Sequence, residues 1–335
     1  MKDVIILGIE SSCDETSISI VKNGYIEIAT VTSTQMDTHA LFGGVVPEIA
    51  SRMHTESITL VLEELFKKCD LTMEDIDAIA VTYAPGLLGS LLVGIEFAKT
   101  LSLVYNKPLI PVHHILGHIF ANNLVKKIEY PTLALVVSGG HTEIVKMTSN
   151  YDFEVLGTTV DDAVGECFDK VARVLDLKYP GGPNVERLAA SGKHSYTLPK
   201  PMDNNELNFS FSGLKSAVIN LVHNERQRGN DINKEDLACS FQEVAIDELT
   251  RKTKLAIEQT GIKNLIVAGG VSANGFLRSE LERLCDELKV NLSIPPLKYC
   301  TDNGTMIACA AYPLYLKQKF CDFSLNGKSQ EYLFQ

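Results

Sequence analysis

The sequence predicts an α/β protein laid out twice on one plan, and three observations lead there. Apolar runs of strand length alternate with longer stretches of helical spacing along the whole chain. The stretch VIILGIESSCDETSISIV near the start is echoed by PTLALVVSGGHTEIVKM at 131–147. In each, an apolar strand meets a tight loop of small polar residues and then an alternating strand that begins with threonine. No low-complexity linker interrupts the 335 residues, so they divide into two similar lobes. The expected division is 1–130 and 131–300, with the N-terminal lobe completed by a C-terminal helix over about 301–335.

The elements follow in order. VIILGIE reads as a buried strand, TSISIV as a half-buried one with period two, and Asn23-Gly24 as the hairpin turn before YIEIATV. Pro47 to Lys68 has Ile49, Met53, Leu62 and Leu65 roughly on one side and reads as a long helix. DAIAVTYAPG is a strand running into a Pro-Gly loop and a helix over Leu87 to Val104. KPLIPV is a further strand. In the second half, NLIVAGGVSANGFLRSEL is a strand, a Gly-Gly turn and a helix.

Composition narrows the class. Hydrophobic content of 45% and charged content of 22% are those of a globular protein. The first apolar run meets Glu10 at once and lacks a signal peptide's length and cleavage site. LLGSLLVGIEFAKTLSLVY contains Glu96 and Lys99 and reads as a buried helix, not a membrane span. Eight cysteines without a CxxC pair read as reduced thiols, which points to the cytoplasm. A net charge of −11 argues against a protein that coats nucleic acid non-specifically. Basic clusters exist nonetheless at Lys126-Lys127, at Arg226 with Arg228, and at Arg251, Lys252 and Lys254.

Three of eight histidines fall within VHHILGH, as His113, His114 and His118. Residues four apart share a helix face, so His114 and His118 point the same way if Ile115 to Leu124 is helical. Such a pair can share a divalent transition metal or simply sit packed or solvated. It is not the HExxH motif, because Ile115 stands where that motif has its glutamate. Asp302, in CTDNGTMIACAAY, is open to two readings. It caps the helix that follows, or it completes a two-histidine, one-carboxylate site suited to iron(II) or zinc.

Glycine-rich turns form a second group. SGGHT lets backbone N–H groups approach an anion, or is only a tight hairpin. SSCDETS carries Asp14 and Glu15, which would repel a phosphate. AGGVSANGFLR offers backbone and amide contacts for a ribose or purine. YPGGPN offers a flat glycine surface. Four Gly-Gly pairs, three of them at strand ends in the second half, favour a nucleotide-like ligand.

GIESSCDETS, GGVVPEIASRMH, PGLLGSLLVG, VHHILGH, LVVSGGHTE, DDAVGECFDKVAR, YPGGP, NFSFSGLKSAV, LIVAGGVSAN and CTDNGTMIA occur in this order. Together, over nearly the whole chain, they resemble the TsaD family of bacterial tRNA N6-adenosine threonylcarbamoyltransferases, formerly described as O-sialoglycoprotein endopeptidases. The resemblance implies the two-lobed fold of actin, Hsp70 and sugar kinases, with an interdomain cleft. It implies transfer of a threonylcarbamoyl group from threonylcarbamoyl-AMP to N6 of adenosine 37 in tRNAs reading codons that begin with A. The family's metal ligands fall on His114, His118 and Asp302, implying one divalent ion, Fe(2+) or Zn(2+). Its adenylate-binding positions fall on Val137, Ser138, Gly139, Gly140 and His141, then Asp169, Gly182 and Asn274. One further ligand position falls near Asn184 to Glu186. Glu10 is a catalytic candidate toward a metal-bound water or the incoming amine. The implied partners are a TsaB-type pseudo-homologue and a TsaE-type ATPase, with no membrane. Ala84 before Pro85, Val164 and Cys167 depart from the family pattern and leave the chemistry intact. His114 is expected at a surface-facing helix position between lobes.

Three other classes compete. A small-molecule kinase of the actin-like fold would use the glycine turns on ATP but has no need of His114 and His118. A metalloprotease lacks its base. A non-catalytic nucleotide-binding scaffold would have no reason to keep the histidines.

Overall fold

Two five-stranded sheets carry the fold in the computed structural model, which describes residues 2–202 and 204–331. The first contains β1 (Ile5–Glu10), β2 (Glu15–Lys22), β3 (Ile26–Thr34), β4 (Ala78–Ala84) and β5 (Leu109–His113), in the order β3-β2-β1-β4-β5. The second contains β6 (Thr132–Val137), β7 (Thr142–Ser149), β8 (Asp152–Thr158), β9 (Asn264–Ala268) and β10 (Asn291–Ser293), in the order β10-β9-β6-β7-β8. Numbered within its own half, each sheet has the order third, second, first, fourth, fifth. In both, the first three strands form an antiparallel meander and the last two run parallel to the first.

The helices are α1 (Met36–Ala40), α2 (Pro47–Lys67), α3 (Leu88–Tyr105), α4 (His114–Phe120), α5 (Val164–Val174), α6 (Gly181–Ala189), α7 (Ser212–Gln227), α8 (Lys234–Thr260), α9 (Gly275–Leu288) and α10 (Gly304–Leu316). The chain forms two compact units. One is Met1–Ile128 with Pro295–Gln335, and the other is Glu129–Ile294.

In the first unit α2 and α3 cover one face of the sheet with Ile58, Val61, Leu65, Leu91, Ile95 and Ala98, and α10 packs on β1 and β2. A sheet covered on both faces needs strands that are apolar on both, and five of the six β1 residues are buried. Asn23 and Gly24 both have positive φ, 58° and 75°, as the Asn-Gly hairpin signal demands. Helix α3 is the one helix among the described residues long and apolar enough to cross a membrane, and its Leu91, Ile95 and Ala98 belong to this core. In the second unit Phe168, Phe209, Phe211 and Phe241 anchor a core under β6 and β9. None of the eight cysteines, all among the described residues, is in a disulfide.

Candidate metal centre and glycine loops

Two close approaches position the first cluster. Gly8 in β1 lies against the start of α10, where a Cβ would meet the Gly304 carbonyl oxygen at 2.2 Å. Gly117 in α4 lies against the same helix, where a Cβ would meet Ile307 Cδ1 at 2.9 Å. The glycine inside HILGH therefore lets α4 sink onto α10 and carries His114 and His118 toward Asp302, two residues before that helix begins. Asp302 does not cap α10. The cap is Asn303, whose Oδ1 accepts from Met306 N at 2.9 Å. The capping reading of Asp302 thus falls to its neighbour, and its carboxylate lies beside the histidines.

One donor atom each from His114, His118 and Asp302 lies within 4.8 Å of the others. Asp302 Oδ1 is 3.1 Å from His118 Nε2 and 3.5 Å from His114 Nε2. The expectation of a surface-facing helix does not hold. Every residue of α4 is buried, and His118 is 1% exposed. The helix is also shorter than Ile115 to Leu124. It stops at Phe120 and a 3-10 turn follows.

Glu10 sits behind His114. Its Oε1 accepts from Ser12 N at 2.6 Å, and its Oε2 accepts from Thr82 Oγ1 at 2.7 Å and from His114 Nδ1 at 3.1 Å. Glu10 is fully buried, so this is the position of a carboxylate that orients an imidazole, not of a base facing a substrate. Ser12 Oγ is also 3.2 Å from Nδ1. With its proton on Nδ1, His114 turns the Nε2 lone pair toward Asp302.

Two lone pairs and a carboxylate oxygen that converge repel one another unless a cation stands among them. Both ring nitrogens of His118 are buried without an aligned hydrogen bond, although Nε2 is close to Asp302. Burial lowers His114, but the carboxylates of Asp302 and Glu10 outweigh it and push it up to about 9. Burial, then the carboxylates of Asp302 and Asp14, push Glu15 up to about 10. The pocket thus gathers excess negative charge. The donors fit a divalent metal on charge, on ligand type and on the orienting carboxylate behind one histidine.

The second group lies in the second unit at the carboxyl ends of β6 and β9. Val137 is the last residue of β6. Ser138 N donates to the His141 carbonyl at 2.8 Å, and Ser138 Oγ accepts from His141 N at 3.1 Å, closing a tight loop. Gly139 and Gly140 face open space at its tip. The start of α5 packs beneath, where a Cβ on Gly165 would meet the Ser138 carbonyl oxygen at 2.6 Å. Asp169 of α5 accepts from Gly181 N at 2.7 Å.

The sequence YPGGPN is not the flat glycine surface expected of it. Gly181 begins α6, leaving Gly182 in the first turn facing open space. Asn274 caps α9 by accepting from Leu277 N at 2.9 Å and donates to Gln242 Oε1 at 3.0 Å. Within the Asn184 to Glu186 stretch, Glu186 Oε1 accepts from Gly275 N at 2.6 Å, and Asn184 donates to the Lys178 and Pro180 carbonyls. The glycine-loop residues therefore share one end of one sheet, at the starts of α5, α6 and α9.

The basic clusters are largely spent on neighbouring acids. Arg226 pairs with Asp176 at 3.0 Å, Arg228 with Glu225 at 2.8 Å and Lys254 with Glu287 at 3.2 Å. Lys252 is fully buried and donates to Asn204 Oδ1 and the Glu206 carbonyl. Sequence reasoning missed Thr82 and Ser12 as partners of the Glu10–His114 pair, and Gly117 as the contact that seats the helix. Only the last left a signal, a glycine set between two helical histidines.

The family model "TsaD: tRNA N6-adenosine threonylcarbamoyltransferase" matches residues 27–309. The tRNA N6-adenosine threonylcarbamoyltransferase of Staphylococcus saprophyticus is 53% identical over 324 residues, covering 96% of this chain and 95% of that protein. The enzyme of the same name from Staphylococcus aureus is 51% identical over 329 residues, covering 98% and 96%. Among solved structures, HypF of T. kodakarensis matches with a TM-score of 0.64 at 14% identity, over 96% of this chain and 49% of that one. Component A of the (R)-2-hydroxyglutaryl-CoA dehydratase of Acidaminococcus fermentans matches at 0.54 and 16% identity, over 92% and 98%. These two share only the fold with this chain, the actin/Hsp70/sugar-kinase-like plan expected from the sequence. With a family model across most of its length and relatives above half identity end to end, the chain belongs to the TsaD family of tRNA N6-adenosine threonylcarbamoyltransferases.

Proposed function

We propose that the chain transfers the threonylcarbamoyl group of threonylcarbamoyl-AMP to N6 of adenosine 37 in tRNAs reading codons that begin with A. The observation that carries the reading is the convergence of His114, His118 and Asp302 with no aligned hydrogen bond at His118. A kinase or a scaffold of this fold has no use for such a cluster.

The adenine nitrogen attacks the carbamoyl carbon, the bond from that carbon to the phosphate oxygen breaks, AMP leaves, and N6 loses a proton. AMP is a good leaving group, so the chain's tasks are positioning and charge stabilisation. In the Ser138–His141 loop after Val137, the Gly139 and Gly140 N–H groups hold the phosphate end, since those of Ser138 and His141 close the loop on itself. Gly182 lets the adenylate approach the first turn of α6. Asp169 takes ribose hydroxyls with the carboxylate that also receives Gly181 N. Asn274 and the neighbouring Glu186 fix the start of α9 against which the adenosine half rests. His114, His118 and Asp302 would hold one divalent ion, iron(II) in preference to zinc, and it would supply Lewis-acid polarisation toward the carbamoyl group. Glu10 keeps His114 in the tautomer that presents Nε2.

The paired arginines and lysines leave this acidic chain poorly equipped to hold tRNA alone. Help from a TsaB-type pseudo-homologue and a TsaE-type ATPase in the cytoplasm fits that deficit. The test is reconstitution with these partners, tRNA, ATP, threonine, bicarbonate and an adenylate-forming enzyme, followed by nucleoside analysis. Threonylcarbamoyladenosine should form only when the chain is added. Equal formation without it would refute the assignment.

A further inference from the structure

His113 stands beside the proposed ligands and belongs to neither group. It ends β5, is 7% exposed, and is not among the residues whose donor atoms converge. Its Nε2 lies 3.1 Å from the backbone carbonyl of Glu331. A carbonyl only accepts, so Nε2 carries the proton.

The acceptor belongs to a stretch that returns along the edge of the first sheet. Cys321 N donates to the Leu109 carbonyl of the edge strand β5 at 3.0 Å. Gly327 presses on α3, where a Cβ would meet Leu91 Cβ at 3.2 Å. Lys328 N donates to the Tyr83 carbonyl at 2.9 Å, and Gly86 N donates to the Ser329 carbonyl at 3.3 Å. Lys328 Nζ closes the stretch on itself with Glu331 Oε1 at 2.7 Å.

These contacts fall on two segments that lead to His114. The first is β5, whose last residue His113 is the N-cap of α4. The second is the turn after β4. There Leu87 N donates to the Ser12 carbonyl at 2.8 Å, and a Cβ on Gly86 would meet Ser12 at 2.7 Å. Ser12 Oγ and Glu10, whose Oε1 receives Ser12 N, are the groups at His114 Nδ1. The same short stretch thus grips the backbone that carries His114 and the turn that sets its ring orientation.

We infer that Lys328–Glu331 is a clamp on the metal helix, with His113 as the positioning residue that locks it. Through the His113–Glu331 and Gly86–Ser329 hydrogen bonds the clamp holds His114 in register with His118 and Asp302. The inference rests on reading those three residues as the metal site. It explains the third histidine of VHHILGH as a donor to the returning chain.

The test is metal affinity of the purified apo full-length protein, titrated with zinc and with iron(II) against a competing chelator. His113→Phe keeps a ring and loses the donor, while His113→Gln keeps an N–H at the same reach. A third variant lacks residues 327–335. Outer-shell changes weaken metal binding by roughly 10–100-fold, and about tenfold is expected for His113→Phe and for the shortened chain, with recovery in His113→Gln. Apo thermal melts of the two point variants should match. If the shortened chain fails to fold, the Phe and Gln pair decides alone. Wild-type affinity in His113→Phe, or equal loss in Phe and Gln, overturns the clamp while leaving the metal site standing. A wild-type protein that binds neither ion overturns the metal site and the clamp with it.

Discussion

The loop between β1 and β2 and the loop between β6 and β7 occupy the same place in the two sheets, and each is four residues long. Their chemistry is opposite. The first, Ser11–Asp14, is flanked by Glu10 and Glu15 and lies with His114 and Asp302. The second, Ser138–His141, puts two open glycines at its tip and carries no acid of its own, with Glu143 the second residue of β7 beyond it. A site crowded with carboxylates selects a cation, and a site of bare backbone N–H groups selects an anion. On the proposed function, one strand-loop-strand plan serves two ligand charges through a handful of side chains, and each loop should fail in its own way.

The largest effect is expected at Asp302. Asp302→Asn leaves the α10 cap at Asn303 untouched, so the melting temperature should barely move. It replaces an anionic ligand by a neutral one, and metal affinity should fall by more than the roughly 10–100-fold typical of an outer-shell change. Transfer to tRNA should fall with it. Wild-type affinity for metal in this variant would erase the contrast between the loops.

Gly140→Val tests the other loop. A Cβ there meets nothing within 4 Å, so the protein should fold and keep its metal. A branched side chain would bar the phosphate from the backbone. Hydrogen bonds to a charged group are worth about 1.5–3 kcal/mol, so adenylate-analogue affinity should drop roughly ten- to hundredfold by calorimetry. Gly8→Val should instead unfold the first unit, because its Cβ would collide with the Gly304 carbonyl. Asp169→Ala should show a mixed effect. It loses the bond from Gly181 N as well as the ribose contact, so affinity falls about tenfold and stability by roughly 1 kcal/mol. Unchanged affinity would leave Asp169 a cap and nothing more.

How far these sites could be read in advance depended on sequence distance. The Asn23-Gly24 hairpin, the Pro47 helix start and the strand-loop-strand of SGGHT are local signals, and each formed where it was expected. The α10 cap stayed open in the sequence because Asp302 and Asn303 are adjacent and both are good caps, and the structure gives the role to Asn303. Glu10 could not be assigned because its partners Thr82 and His114 lie 72 and 104 positions away. Burial of α4 was missed because a glycine reports a close approach only when its neighbour is known. In the second unit the glycines were legible, but the second duties of Asp169, Glu186 and Asn274 were not, since each bonds an element distant in sequence or caps a helix whose start was uncertain.

The smallest effect sharpens the comparison on its electrostatic side. Of the acids flanking the first loop, Glu10 is answered by a histidine: His114 holds it below its ordinary range against the pull of burial. Glu143, the acid nearest the second loop, has no such answer. Its Oε2 is buried without a hydrogen-bond partner, and burial pushes its carboxyl up to about 7. A folded-state pKa raised above the unfolded value means that the folded protein prefers the protonated form. Glu143 therefore costs nothing below about pH 4.5. Its cost grows as pH rises toward 7 and is complete above that. Glu143→Gln keeps the shape and removes the charge. Stability of the apo protein should match wild type at pH 4 and exceed it at pH 8 by on the order of 1–2 kcal/mol, allowing for partial exposure of the group. Chemical denaturation of both proteins across this range reads the difference directly. A gain that is the same at pH 4 and pH 8 would assign the effect to packing, and an absent gain would mean that Glu143 is ionised and solvated like any surface acid.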